Sequence, residues 1–152
     1  MVTLVPSHFF NPAAAREALA EVAELNETDK VFTKLIPQYD AVLIYNVSGT
    51  ESEDSVPEMF YVISSLSSCS EYNKIVASLK DGVLSLAIAQ GGTMLLANEY
   101  AAADFTTALY FVFLAMKSLQ LNPEVSVINW KSELDAADEV TLYRYFKSVD
   151  RI

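Results

Sequence analysis

Lys74-Ile-Val-Ala-Ser-Leu-Lys80, Val83-Leu-Ser-Leu-Ala-Ile-Ala-Gln90 and Thr93-Met-Leu-Leu-Ala-Asn-Glu-Tyr100 are strand-like runs, joined by Asp81-Gly82 and Gly91-Gly92. Both dipeptides tolerate positive φ at the two central positions of a type I′ hairpin turn. A two-residue turn at Asp81-Gly82 places Leu79 opposite Leu84, Ala77 opposite Leu86 and Ile75 opposite Ile88. Those residues share one wholly apolar face. The other face carries Ser78, Lys80 and Ser85 and is expected to be only partly buried.

Downstream, Asp104 caps a helix with the stripe Phe105, Leu109, Val112, Met116 and Leu119. Tyr110, Phe111, Phe113 and Leu114 widen its apolar surface, so this helix is expected to be covered on more than one side. Asn122-Pro123 ends it, Val125 to Trp130 reads as a final strand, and a last helix is expected from about Asp138 to Val149. Upstream, Val2 to Val5 is a short apolar run closed by Pro6, and Asn11-Pro12 opens a helix. Its face is Ala15, Ala18, Leu19, Val22 and Leu25, and Asn26 stops it. Val31 to Ile36 and Ala41 to Val47 read as strands about a Pro37-Gln-Tyr-Asp40 connector, the second apolar enough to be covered on both faces.

Ser48 to Asp54 is a polar, acidic loop. Ser55 and Glu58 then stand at capping-box spacing, before a helix that buries Met59, Val62, Ile63 and Leu66. Ser67-Ser-Cys-Ser70 is the expected boundary between two structural halves, 1–70 and 71–152. The alternation of elements argues for an α/β chain with a mixed sheet flanked by helices.

The chain has 152 residues, 52% of them hydrophobic, enough for a packed core. Twenty acidic against ten basic residues give a net charge of −10, which repels nucleic acid and anionic membrane surfaces. A single cysteine, Cys69, can form no internal disulfide, so a reducing compartment is the default. Ala108 to Met116 is the one membrane candidate, and Lys117 and Gln120 cut it well short of the roughly 20 residues a span needs. With no secretory signal in the opening residues, a soluble, cytoplasmic protein is expected.

Leu4-Val-Pro-Ser-His-Phe-Phe10, Val42-Leu-Ile-Tyr45, the stretch from Asp81-Gly82 to Asn98, Asp104-Phe105 with Tyr110-Phe111, and Leu142-Tyr-Arg-Tyr145 carry a resemblance. They resemble an uncharacterised bacterial domain family, seen mainly in Bacteroidetes, with an actin-like ATPase fold. The resemblance runs over essentially the whole chain and implies two ribonuclease-H-like halves in tandem. On it, 71–152 correspond to the second half and 1–70 to the C-terminal part of an incomplete first half, as though the chain were a C-terminal portion.

Actin-like ATPases hold phosphate on glycine-rich hairpin turns, with an acidic residue entering and a hydroxyl leaving. Two local matches arise, Asp81-Gly82 and Gly91-Gly92-Thr93, and they are the weak cofactor-binding candidates. Asp81-Gly82 is too short to wrap a phosphate. Gly91-Gly92-Thr93 has Gln90 where a carboxylate is expected, and it joins the second and third strands where the family's phosphate turn joins the first and second. A ribonuclease needs carboxylates in the middle of its first strand, and Ile75-Val-Ala-Ser-Leu79 has none. His8 is the only histidine, more economically a turn residue than half of a catalytic pair, and one His with one Cys cannot make a zinc site. Glu51, Glu53 and Asp54 are read as a solvated acidic loop with, at most, loose cation binding. No catalytic or metal-ligating residue is therefore assigned. The expectation is a non-catalytic interaction or scaffold protein with a protein partner or a second copy as its ligand. The alternative is a nucleotide-binding ATPase using ATP and Mg²⁺, its phosphate loops partly outside this chain.

Overall fold

Val2–Pro6 (β1), Lys30–Ile36 (β2) and Ala41–Val47 (β3) form a three-stranded antiparallel sheet with β3 in the middle. The computed structural model describes residues 1–49 and 54–152. The position of β3 follows from its composition: Ala41 to Tyr45 are all buried, so both faces are covered, as the continuous apolar run requires. The chain enters β3 through Asp40, left-handed at φ 53, a conformation that a short polar side chain tolerates.

The helix expected up to Leu25 is short. Asn11 caps a 3-10 turn at Pro12–Ala14, its side chain accepting from the Ala13 amide, and α1 covers only Ala15–Ala20. Arg16 gives the reason. Its guanidinium donates to the carbonyls of Asp29 and Asn26, both at 2.6 Å, which draws the following segment back as a loop. Ala15 and Leu19 pack on Val42 and Ile44, forming a small core on one face of the sheet.

The chain divides into two compact units, residues 1–60 and 61–152. The division falls inside α2 (Glu58–Ser65), ten residues before the expected boundary at 70. The 3-10 turn that continues α2, Leu66–Ser68, packs on the second sheet, which is why this segment goes with the larger unit. α2 starts at Glu58, three residues past the expected cap Ser55, so Pro57 precedes the helix. Glu51 and Glu53 lie outside the described residues, and Asp54 is an exposed turn residue.

The larger unit is a five-stranded mixed sheet in the order β6-β5-β4-β7-β8. Asn73–Lys80 (β4), Val83–Gln90 (β5) and Thr93–Ala101 (β6) make the antiparallel meander, and Val127–Trp130 (β7) and Ser148–Arg151 (β8) add in parallel. The pairs Leu79–Leu84, Ala77–Leu86 and Ile75–Ile88 all form as the turn requires. Their face carries the main core, where Ile75, Leu84, Leu86 and Ile88 meet Val112, Met116, Trp130 and Leu142. The opposite face differs from expectation. Ser78 and Ser85 are buried with Val76, Ala87 and Ala89, so β4 and β5 are covered on both sides.

Phe105–Ser118 (α3) begins where Asp104 accepts from the Thr107 amide at 2.8 Å. Pro123–Val125 is a 3-10 turn, which delays β7 to Val127. Ala136–Tyr145 (α4) is capped by Asp135, earlier than expected, and it stops at Tyr145 where the sequence pattern runs helix to Val149. Val149 pairs with Ile128 in β8, and Asp150 and Arg151 extend the strand beside Asn129 and Trp130. Among the described residues no helix is long and apolar enough to cross a membrane.

Candidate functional site

Asp81 and Gly82 are both left-handed (φ 51 and 73), the geometry of a type I′ hairpin. The Gly82 carbonyl accepts from the Ala102 amide at 2.8 Å, tying this turn to the end of β6. At the second turn only Gly91 is left-handed (φ 54), a pattern closer to type II′ than to the type I′ expected. The Gly91 amide donates to the Tyr72 carbonyl at 2.9 Å, so that donor is already engaged. Thr93 is exposed at the start of β6. The two turns close opposite ends of β5, an eight-residue strand, and so stand about 25 Å apart. They cannot converge on one ligand.

His8 is exposed in a 3-10 turn with its ring 4.2 Å from that of Phe9. Cys69 is buried, and burial, followed by the Glu71 carboxylate, pushes its thiol pKa up. Such a thiol is a poor nucleophile. Burial likewise raises the carboxyl of Glu99 on β6. Among the described residues no three His, Cys, Asp or Glu side chains come together as a metal site.

A concavity in the 61–152 unit lies elsewhere, between the C-terminal ends of α3 and α4, with a volume of about 580 Å³. Phe113, Met116, Leu121 and Pro123 supply its apolar surface, and Lys117, Gln120, Asn122, Glu124, Arg144 and Tyr145 its polar rim. Local chemistry builds each wall. Past α3 the chain turns back through Gln120, left-handed at φ 59, and the Leu121 amide returns to the Met116 carbonyl at 2.8 Å. Asn122 then accepts from the Glu124 amide at 3.0 Å, capping the 3-10 turn that forms one side. Phe113 bridges the two helices, edge-on to Tyr145 at 5.1 Å and stacked on Phe146 at 5.8 Å.

Lys117 and Arg144 are exposed, and neither has an ion-pair partner among the described residues. Beyond the groove the outer face of α3 stays open: Tyr110 is 60% and Leu114 48% exposed. The expectation that α3 is covered on more than one side holds for Phe111, stacked on Tyr100 at 4.8 Å, and for Phe113, but not for this stripe. Sequence reasoning missed the groove. Its one local signal is a cation in the last turn of each helix, which also suits the helix dipole and so points nowhere in particular.

The mixed sheet, its strand order and its flanking helices define an actin-like ATPase fold. A crystal structure from Bacteroides thetaiotaomicron, of a protein with an actin-like ATPase fold and unknown function, superimposes with a TM-score of 0.79 at 17% identity. The match covers 99% of this chain and 64% of that one, so the chain spans less than two thirds of the length of its structural relative. The chain belongs to the DUF3822 family of proteins of unknown function, whose model matches residues 1–149. No curated protein matches it.

Proposed function

We propose that this chain is a non-catalytic interaction protein built on an actin-like fold, with the α3/α4 face as its contact surface. The observation that carries the reading is the open apolar groove, with exposed Tyr110 and Leu114 further along α3 and a rim holding two cations that have no ion-pair partner among the described residues. The glycine turns support it from the other side: both are short hairpins at opposite ends of β5, and the Gly91 amide is engaged. The contact is with protein, in the cytoplasm; the net charge of −10 works against nucleic acid and anionic membranes.

A second reading has one specific observation in its favour. The solved relative has an actin-like ATPase fold and is longer than this chain, so a phosphate loop outside residues 1–152 is compatible with nucleotide binding. Calorimetric titration of the full-length protein with Mg-ATP and Mg-ADP decides between them. The interaction reading expects no binding heat. Micromolar ATP binding that is lost on Asp81→Ala would overturn it.

A further inference from the structure

We infer that the α3/α4 groove takes a short segment of a partner protein in which apolar side chains alternate with Asp or Glu, an inference that rests on the interaction role proposed above. Charge is the first argument. A chain with twenty acidic and ten basic residues places two cations, Lys117 and Arg144, against a single carboxylate, Glu124, around this groove. At physiological salt, screening acts within about 8 Å, so an incoming carboxylate at the groove responds to the local cations more than to distant acidic surface. Neither cation is neutralised by an ion pair among the described residues, and both line the same concavity as Phe113, Met116 and Tyr145. A ligand matching both features carries negative charge next to apolar groups.

Shape is the second argument. The open surface extends past the concavity along α3 through Leu114 to Tyr110, residues at i+4 and i on one helix face. From Tyr110 to Lys117 the rise is about 10 Å. A compact small molecule held in the concavity leaves that stripe in water. A peptide segment lying along α3 covers the stripe and reaches both cations, the mode in which apolar anchors occupy a groove beside a helix.

The test is selection of a random displayed peptide library on the intact chain, followed by fluorescence anisotropy with the selected peptides. Selected sequences are expected to pair Asp or Glu with Leu, Phe or Trp. The double variant Lys117→Glu/Arg144→Glu, altered only at exposed positions, is expected to weaken binding about 10-fold or more, since two exposed attractive pairs become repulsive. The milder Lys117→Gln/Arg144→Gln is expected to give a smaller loss, and raising salt from about 0.05 to about 0.5 M to weaken wild-type binding. Peptides of basic or uncharged character, or binding indifferent to charge reversal, overturn the inference and leave the interaction role standing on another surface. A library that yields no binder overturns the peptide occupant. A dimer seen by sedimentation that dissociates on charge reversal overturns it in favour of a second copy.

Discussion

Replacing Gly91 by alanine probes the turn on which the meander reading depends. Gly91 has φ +54, and a Cβ built there stands 3.1 Å from Cε2 of Tyr72. Holding a residue with a Cβ in the left-handed region costs about 1–2 kcal/mol. The loss of chain freedom in the unfolded state returns about 0.4–1 kcal/mol. The Tyr72 ring is exposed and can move by a few tenths of an ångström, so the contact adds less than a full clash. The sum for Gly91→Ala is about 1–2 kcal/mol of destabilisation. Gly82→Ala, at φ +73 with nothing within 4 Å of its Cβ, lacks the contact and should cost about 0.5–1 kcal/mol. Gly92→Ala, with open space and no left-handed φ, should be neutral or slightly stabilising. The assay is urea unfolding followed by Trp130 fluorescence; this is the only tryptophan, buried within the 61–152 unit, so it reports that unit. With a slope of about 1–3 kcal/mol per M, Gly91→Ala should lower the midpoint by roughly 0.5–1 M. A Gly92→Ala midpoint as low as that of Gly91→Ala, or an unchanged Gly91→Ala, refutes the turn geometry.

Three other outcomes are expected. The hydrogen bond from the Thr107 amide lowers the pKa of the Asp104 carboxyl, so the cap's charge contributes above the unfolded-state pKa of about 3.9 and is lost as pH falls through the lower folded value. Asp104→Asn keeps an acceptor that does not titrate, and it should flatten the stability–pH curve below about pH 4, an outcome read by urea midpoints against pH and contradicted by superimposable acid limbs. Leu86→Ala removes a fully buried side chain from the main core and should cost about 2–5 kcal/mol, whereas the exposed Leu114→Ala should stay within about 0.5 kcal/mol; equal losses in urea unfolding would contradict the burial pattern. With its thiol buried and its pKa raised, Cys69 should react slowly with a colorimetric disulfide reagent at neutral pH and rapidly in denaturant, and equal rates would contradict the packing around it.

What could be read from residues alone was local or nearly so. Asp81-Gly82 and the alternation on either side determine the β4–β5 register, because a two-residue turn leaves only one pairing that keeps Ile75, Ala77, Leu84, Leu86 and Ile88 on one face. The Asn11 and Asp104 caps rest on interactions spanning two or three residues, and the continuous apolar run of β3 is itself a pattern of adjacent residues. The larger failures are long-range. Phe146-Lys-Ser-Val149 continues a helical pattern, and only parallel pairing with β7, some twenty residues earlier, makes β8 of its end. Arg16 shortens α1 by bonding carbonyls ten and thirteen residues away. Ser78 and Ser85 look like a solvent face and are buried because other elements cover the sheet. The groove follows the same rule. Phe113, Lys117 and Arg144 are unremarkable in their own helices, and tertiary packing alone brings the two helix ends together, so the candidate site became legible only in the folded chain.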